Sequence, residues 1–344
     1  MYSLILSIES SCDETAAAVV KDGRAVLSSV VASQIDIHKE YGGVVPELAS
    51  RKHVETIIPV IEEALAMAEV ELTDIEGIAV THGPGLIGSL MVGISMAKGI
   101  SYALGVPFIG VDHLEAHISA VHIEHEMVFP FVGLIVSGGH TSLYLVNNHT
   151  DFKLLGKTRD DAAGEAFDKA AKLLGLSYPG GVEIDRISRE GNPGAISFPR
   201  PFITTSSFDF SFSGIKTALA YYMKKNPYLN EEQLKNICAS YQEAIVETLI
   251  LKTLNAALLS GIKSVVIAGG VACNSRLREL GRKRFGEEGI SLFIPSPKYC
   301  TDNAAMIGAL GFYKLSKGEY SELSLKPYST SRPKYIRGRG LISN

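Results

Sequence analysis

Cysteine is scarce in this sequence, and an excess of basic charge is absent. The chain has four cysteines in 344 residues, and none forms a Cys-x-x-Cys pair. This excludes a disulfide framework, makes a zinc ribbon improbable and favours a reducing compartment. Lysine and arginine number 33 against 37 acidic residues, a formal charge of −4. Proteins that coat nucleic acid by bulk charge are strongly basic, so any polyanion must be bound by a local patch.

The N-terminus lacks the features of a secretion signal, and one apolar region falls short of a membrane span. The first residues have no basic start and too short an apolar stretch. The segment Gly77–Ala97 contains no charged residue, but Gly83–Gly85 breaks it. The remaining helix, Leu86 to about Leu104, is shorter than the ~20 residues of a span and contains Lys98. We interpret it as a buried helix of a cytoplasmic α/β protein without a membrane partner.

Composition and element order predict a globular α/β protein. The chain is 46% hydrophobic and 20% charged, and its length suggests two domains at about 150 residues each. Strand, polar turn and strand occur around Ser10–Thr15 and again, about 127 residues later, around Ser137–Thr141. The repeat predicts a duplicated α/β fold with a cleft between the halves. The alternative is an ordinary α/β enzyme with unrelated glycine turns.

The predicted boundaries divide the chain into two lobes and a tail. Residues 1–110 with about 306–330 form the N-terminal lobe, and residues 111–305 form a C-terminal lobe that carries the metal and nucleotide sites. The tail at 331–344 is basic, without an acidic residue. It could contact phosphates or be a solvated terminus.

Four of the nine histidines lie between His113 and His125. Asp112 is a suitable N-cap for a helix here, with Glu115 as its capping-box partner. His113 and His117, four residues apart, would share one helix face. Such a pair suits zinc or ferrous iron. A histidine-rich surface helix is the alternative.

A third metal ligand must come from elsewhere, and Asp302 is the candidate. It follows a loop and precedes a helix of small residues, so it could equally be a helix cap. Zinc proteases place their general base directly after the first histidine. Here Glu115 stands two residues after His113, about 200° around the helix, which disfavours protease chemistry.

Two polar turns contain candidates for anion and nucleotide binding. The Ser137–Gly139 turn would allow close backbone approach, because glycine lacks a Cβ and tolerates positive φ, and its N–H groups could form an anion nest. Asp13 and Glu14 in the first turn could hold a cation or orient a nucleophile. Further candidates for ribose contacts or a nucleotide pocket are Asp168, Gly181, Asp185 and Asn274. Each could instead be a turn-forming residue.

Six motifs in a fixed order resemble the universal TsaD family, formerly called O-sialoglycoprotein endopeptidase, from about residue 4 to 316. The motifs are Tyr41–Arg51, Thr81–Leu86, His113–His117, Val136–Thr141, Phe210–Thr217 and Gly269–Asn274. The length of the chain and the form of the fourth motif are similar to the bacterial branch.

The resemblance implies an actin-like ATPase (ASKHA) fold with two duplicated RNase H-like lobes and a central cleft. It also implies transfer of a threonylcarbamoyl group from threonylcarbamoyl-adenylate to the N6 amine of the tRNA adenosine 3′ of the anticodon, with release of AMP. One divalent metal, Fe²⁺ or Zn²⁺ with iron slightly favoured, would be held by His113, His117 and Asp302. Mg²⁺ could accompany a bound nucleotide. The implied adenylate-binding residues are Ile135, Val136, Ser137, Gly138, Gly139, Asp168, Gly181, Asp185 and Asn274.

The resemblance assigns further roles. Asp13 and Glu14 match the motif of the first lobe. On chemical grounds, one of them could accept the proton of the adenine amine, or they could position the substrate. Ile135 stands where archaeal and eukaryotic relatives often have tyrosine, which leaves three protein ligands for the metal. The implied partners are tRNA, contacted by basic residues such as Lys216, a small paralogous TsaB-like subunit and a TsaE-like ATPase subunit.

Three other functions compete with this one. An actin-like kinase or ATPase would hold magnesium through carboxylates and phosphates, without a histidine pair. A metalloprotease is disfavoured by the position of Glu115. A scaffold without catalytic activity would need neither the histidine pair nor the glycine turn.

Overall fold

The structure is a computed structural model that describes residues 2–201 and 207–330. The chain divides into two compact units. One contains the chain up to Met127, Asn148–Asp151 and the segment that begins at Lys298, and the other contains Val128–Asn147 and Phe152–Pro297. The predicted basic tail at 331–344 lies outside the described residues.

The elements follow one another in α/β alternation. Before residue 128 they are β1 (Leu4–Glu9), β2 (Glu14–Lys21), β3 (Ala25–Ser33), α1 (Ile35–Lys39), α2 (Pro46–Met67), a 3-10 turn (Leu72–Asp74), β4 (Gly77–Gly83), α3 (Ile87–Leu104), β5 (Phe108–Asp112), α4 (His113–Ser119) and α5 (Val121–Glu124). The later elements are β6 (Phe131–Val136), β7 (Thr141–Asn148), β8 (Asp151–Lys157), α6 (Ala163–Leu173), α7 (Gly180–Ser188), α8 (Ser213–Lys225), α9 (Glu231–Leu259), β9 (Ser264–Ala268), a 3-10 turn (Gly270–Cys273), α10 (Ser275–Glu287), β10 (Ser291–Phe293), α11 (Pro297–Cys300) and α12 (Ala304–Ser316).

The sheet of the first unit has the order β3-β2-β1-β4-β5. β1, β4 and β5 are parallel, whereas β2 is antiparallel to both β1 and β3. Helices α2 and α3 pack on one face, where Leu6, Ile8 and Val80 are fully buried. α12 packs on the other face and approaches closely, since a Cβ on Gly308 would lie 2.6 Å from Val20. Both faces are therefore covered, which explains why these strands are almost wholly apolar.

The second unit repeats this topology. Its sheet has the order β10-β9-β6-β7-β8, with β6 and β7 antiparallel and β6, β9 and β10 parallel. β6 thus takes the place of β1, and the β6–β7 hairpin that of β1–β2. The predicted duplication is confirmed at the level of strand order.

The two units divide the chain at positions that differ from those predicted. The segments 111–127 and 298–305 belong to the first unit, although both were predicted in the second lobe. The reason is that α4 follows β5 directly and packs against α12. The histidine-rich segment therefore belongs to the first unit.

α3 is, within the described ranges, the single helix long and apolar enough to cross a membrane by length and composition alone. One side of it buries Leu90, Ile94 and Ala97 in the core of the first unit. Met91 and Tyr102 are exposed. The interpretation as a buried core helix therefore holds for one side of α3 only.

Candidate metal and nucleotide sites

The carboxyl ends of three neighbouring parallel strands place polar side chains at one edge of the first sheet. Glu9 ends β1, Thr81 lies near the end of β4, and Asp112 ends β5. Parallel strands bring such positions together, and the open edge at their carboxyl ends is where α/β folds bind ligands. α4 begins directly after Asp112, whose side chain accepts hydrogen bonds from Leu114 N at 2.9 Å and Glu115 N at 3.0 Å. The predicted N-cap is thus confirmed.

α4 presents its two histidines side by side. His113 and His117 are buried, and their ring centroids lie 4.6 Å apart. Asp302 Oδ1 lies 3.1 Å from Nε2 of His117 and 3.6 Å from Nε2 of His113. One ligand atom from each of the three residues lies within 4.8 Å of the others, the one such group found in the described part of the chain. The structure therefore brings the three predicted metal ligands together.

The residue after Asp302 caps the helix that follows, which was the alternative role predicted for Asp302. Asn303 Oδ1 accepts a hydrogen bond from Met306 N at 3.0 Å and caps α12. The cap interpretation of Asp302 is therefore wrong, because the cap lies one residue later. The side chain of Asp302, 24% exposed, contacts the histidine pair instead.

The donor set fits a divalent transition metal. Two imidazole nitrogens and one carboxylate oxygen are the ligands of many zinc and non-haem iron sites. Nδ1 of His113 already contacts Glu9, which leaves its Nε2 for a metal. Burial lowers the pKa of His113, but the carboxylates of Glu9 and Asp302 outweigh it and raise the pKa to about 9. The same negative field would stabilise a bound cation.

The two acidic residues of the first turn lie in different surroundings. Glu14 begins β2 and accepts a hydrogen bond from Ser33 Oγ at 2.8 Å, while its other oxygen, Oε2, is buried with no hydrogen-bond partner in the described chain. Burial raises the pKa of Glu14 to about 7, and the charges of Asp13 and Asp302 act in the same direction. Glu14 is thus a carboxyl group able to exchange a proton near neutral pH.

The glycine turn of the second unit follows β6. Ser137 N donates to His140 O at 2.8 Å, and His140 N donates to Ser137 Oγ at 3.1 Å. Gly138 and Gly139 are exposed, and a Cβ on either would meet no atom within 4 Å. Neither glycine has a positive φ, so the turn does not need glycine for a left-handed backbone. The open space around the two residues is what would allow a ligand to approach their N–H groups.

Two of the adenylate candidates belong to the core. Ile135 and Val136 are fully buried within the sheet. Their side chains are therefore enclosed by the core, and their part in adenylate binding stays a prediction.

Two further glycines, Gly164 and Gly269, support the turn. A Cβ on Gly164 would lie 2.6 Å from Ser137 O, and one on Gly269, at φ +94°, would lie 2.4 Å from Val136 O. Gly269 begins the motif Gly269–Asn274, and this position could have identified it from the sequence. No sequence pattern marks Gly164, because its close contact is with Ser137, which is distant in the sequence.

Asp168 and the start of α7 form one local unit. Asp168 Oδ1 accepts a hydrogen bond from Gly180 N at 2.8 Å. Burial raises the pKa of Asp168, whereas the N–H groups of Gly180 and Gly181 oppose this. In this structure the carboxylate thus bonds to the N-terminus of α7. Gly181 has room for a Cβ, with Phe167 at 3.7 Å.

Asp185 and Asn274 are connected through their neighbours. Asp185 Oδ1 accepts hydrogen bonds from Ser275 N at 3.1 Å and Ser275 Oγ at 2.7 Å. Asn274 caps α10 and donates to Gln242 Oε1 at 2.6 Å. A polar cavity of about 300 Å³ adjoins them, lined in part by Gln242, Ser275 and Arg276. The structure therefore brings this pair of predicted residues together beside a cavity.

Known proteins with similar sequences decide the family. The TsaD family model, described as tRNA N6-adenosine threonylcarbamoyltransferase, matches residues 25–309. The protein of that name from Geobacter metallireducens is 58% identical over 323 residues, which cover 94% of this chain and 95% of the relative. The protein of the same name from Geotalea uraniireducens is 60% identical over 314 residues, covering 91% and 92%.

The chain belongs to the TsaD family. Its members are transferases that modify the N6 atom of adenosine in tRNA with a threonylcarbamoyl group, and this is the function of the chain. The rival phosphotransferase and protease functions are therefore set aside. The geometry also disfavours a protease, because the carboxylate of Glu115 contacts Lys314, whose Nζ lies 3.5 Å away.

Solved structures support the fold expected of the TsaD family. Full-length HypF, bound to phosphate and nucleotide, has a TM-score of 0.63 at 15% identity and covers 93% of this chain and 56% of HypF. Component A of (R)-2-hydroxyglutaryl-CoA dehydratase from Acidaminococcus fermentans has a TM-score of 0.53 at 18% identity, covering 92% and 98%. At such identities the likeness shows the fold alone, an actin-like ATPase fold with duplicated RNase H-like lobes.

Proposed function

We propose that this TsaD-family chain takes the threonylcarbamoyl group from threonylcarbamoyl-adenylate and transfers it to the adenosine 3′ of the anticodon, with release of AMP, in the cytoplasm. The observation that carries the proposal is the convergence of His113, His117 and Asp302 in a chain of this family. The acyl-adenylate is already activated, so no ATP need be cleaved in this step.

The second unit would bind the nucleotide half of the donor. The N–H groups of Gly138 and Gly139 lie in open space and suit a phosphate. Asp185 and Asn274, beside the polar cavity, would bind the nucleoside. Asp168 would hold the start of α7 in position, where Gly181 leaves space for the ligand.

The first unit would supply the metal ligands. A metal held by His113, His117 and Asp302 would polarise the carbonyl group of the threonylcarbamoyl moiety as a Lewis acid. Two histidines and one carboxylate with open positions are typical of non-haem Fe²⁺, so we propose iron ahead of zinc. When a nucleotide is bound, Mg²⁺ would be the ion that accompanies its phosphates.

Glu14 is the proposed proton acceptor. The exocyclic amine of adenine is a poor nucleophile, so its positioning and deprotonation must contribute much of the rate. Glu14 has a buried oxygen without a hydrogen-bond partner in the described residues and a pKa of about 7. A general base works best when its pKa is near the working pH. Asp13 would orient the substrate.

An exposed apolar face of the first unit is the proposed docking surface for the small paralogous subunit. Val54 and Ile58 of α2 and Met91 of α3 are 63%, 53% and 53% exposed. They border a groove of about 650 Å³ with an almost wholly apolar lining. Exposed apolar patches of this kind mark interaction surfaces. A TsaE-like ATPase is the second proposed protein partner.

The tRNA would be held through its phosphates by local basic residues. Lys216, on α8, is the candidate among the described residues, and its Nζ lies 3.8 Å from Asp161 Oδ2. An overall charge of −4 means that such contacts must be few and localised.

A reconstituted transfer assay tests the proposal. Radiolabelled threonine, ATP, bicarbonate, tRNA, the adenylate-forming enzyme and the two protein partners are combined with wild-type protein or with Glu14→Gln. We expect label in tRNA with wild type and a loss of at least tenfold with the variant. Equal labelling by both would remove Glu14 from the mechanism, and no labelling by wild type would contradict the proposed reaction.

A further inference from the structure

A buried carboxylate contacts the back of one of the two histidines. Glu9 is fully buried at the end of β1, and its Oε2 lies 3.0 Å from Nδ1 of His113. Nε2 of the same ring faces Asp302. The imidazole of His113 therefore stands between two carboxylates, one at each ring nitrogen.

The neighbours of Glu9 hold its carboxylate in one orientation. Oε1 accepts a hydrogen bond from Ser11 N at 2.6 Å, and Oε2 accepts one from Thr81 Oγ1 at 2.6 Å. Ser11 lies in the turn that follows β1, and Thr81 lies on β4, the strand that pairs with β1. Both oxygens are engaged on the Nδ1 side of the ring, so Glu9 is not placed to be a metal ligand itself.

His117 has no equivalent partner. Its Nδ1 is buried and makes no hydrogen bond in the part of the chain that the structure describes. The two histidines offer the same atom, Nε2, toward Asp302, but only His113 has a carboxylate behind it. The two ligands are therefore unequal.

We infer that Glu9 is a positioning residue that acts on the metal through His113. By accepting a hydrogen bond from Nδ1–H, it keeps the proton on Nδ1 and the lone pair on Nε2, and it fixes the plane of the ring. A carboxylate in this position also makes the ligating nitrogen a stronger donor. The inference rests on the proposed metal site, and it gives a role to Glu9, which the sequence did not mark as a candidate.

The test measures Co²⁺ affinity of the purified full chain by competition with a chromophoric chelator. Removal of such a partner typically lowers metal affinity about 10–100-fold. We expect Glu9→Gln to show this loss in the wild-type background and in His117→Ala. In His113→Ala we expect Glu9→Gln to have no further effect, because the residue through which it acts is gone.

Controls separate this role from a general loss of structure or charge. Thr15→Val breaks a similarly buried hydroxyl–imidazole contact, Thr15 Oγ1 to His53 Nδ1 at 2.7 Å, and should leave Co²⁺ affinity unchanged. X-ray absorption should count the same number of ligands in wild type and Glu9→Gln. If Glu9→Gln does not fold, Thr81→Val is measured in its place. It should show a smaller loss of Co²⁺ affinity, and this loss should again disappear in the His113→Ala background.

The possible outcomes are distinct. An equal loss from Glu9→Gln in the His113→Ala and His117→Ala backgrounds would show an effect of charge alone and overturn the inference. One ligand fewer in the absorption spectrum would make Glu9 a ligand and also overturn it. If wild type bound no Co²⁺, the proposed metal site would fail together with the inference.

Discussion

The carboxylate of Asp302 contacts Nε2 of His117 at 3.1 Å, although Asp302 stands where a helix cap would be expected. The adjacent Asn303 caps α12. The two neighbouring side chains thus have separate functions, and substitutions should separate them.

Asp302→Asn should lower metal affinity by at least tenfold, because it removes the single negatively charged ligand, and should change stability little. Asn303→Ala should do the reverse and lower the free energy of unfolding by about 1 kcal/mol. Chelator competition and thermal unfolding measure the two effects. The same loss of affinity in both variants would contradict this division.

The rate of transfer should depend on the ionisation of Glu14. Burial first, and then the charges of Asp13 and Asp302, give this carboxyl group a pKa of about 7. Because a proton acceptor must be ionised, the rate should rise with pH up to about 7 and then level off. The residual rate of Glu14→Gln should lack this rise. A rise of the same size in the variant would assign the ionisation to another group.

The same group should make stability depend on pH. The pKa of Glu14 is raised above the ordinary 4.5, so the folded state binds more protons than the unfolded state between these values. Its stabilising contribution is therefore complete below about pH 4.5 and is lost as the pH rises through 7. Compared with wild type, Glu14→Gln should gain stability at pH 8 relative to pH 5. Urea unfolding at both values measures this, and no difference would contradict the raised pKa.

Glycines in the turn after β6 should divide into two classes. Gly139→Ala should leave the free energy of unfolding within about 0.5 kcal/mol, because the Cβ meets open space, but should weaken AMP binding. Gly164→Ala places a Cβ 2.6 Å from Ser137 O and should destabilise by about 1–3 kcal/mol. Calorimetric titration with AMP and thermal unfolding distinguish them. Unchanged AMP affinity in Gly139→Ala would exclude this turn from the site.

The apolar face of α2 and α3 should be needed for the small paralogous subunit. Ile58→Glu should weaken the association at least tenfold, since it places a charge in the groove, and the fold should tolerate it because Ile58 is 53% exposed. Tyr228→Glu, at a side chain 91% exposed in the second unit, is the control. Light scattering of the mixed proteins measures the association. Full binding by Ile58→Glu would move the interface elsewhere.

Much of the sheet could be predicted because its central strands are buried on both faces. The strands on either side of the two polar turns, β1 and β2 in the first unit and β6 and β7 in the second, were predicted, since continuous apolar runs adjoin both turns. β8 and β10 were not predicted. β10 has three residues and both are edge strands, where burial leaves little pattern.

The site was predictable where spacing along one element decides the geometry. His113 and His117 share α4, so their proximity follows from helical periodicity. Asp302 and Asn303 are both good caps, and the sequence alone does not say which one caps. The contacts of Glu9 with Thr81 and His113 depend on strand pairing across more than 70 residues, which no local pattern reveals. The unit boundary after Met127 depends likewise on the packing of α4 against α12.

A single-turnover transfer from purified threonylcarbamoyl-adenylate to tRNA, without ATP, tests the central claim most directly. Metal-free protein, protein reloaded with Fe²⁺ or Zn²⁺, and the reloaded His113→Ala and Asp302→Ala variants are compared. We expect one AMP per modified adenosine with reloaded wild type, and at least a tenfold slower transfer by the metal-free protein and by both variants. Transfer at the wild-type rate by the metal-free protein or by either variant would contradict the account.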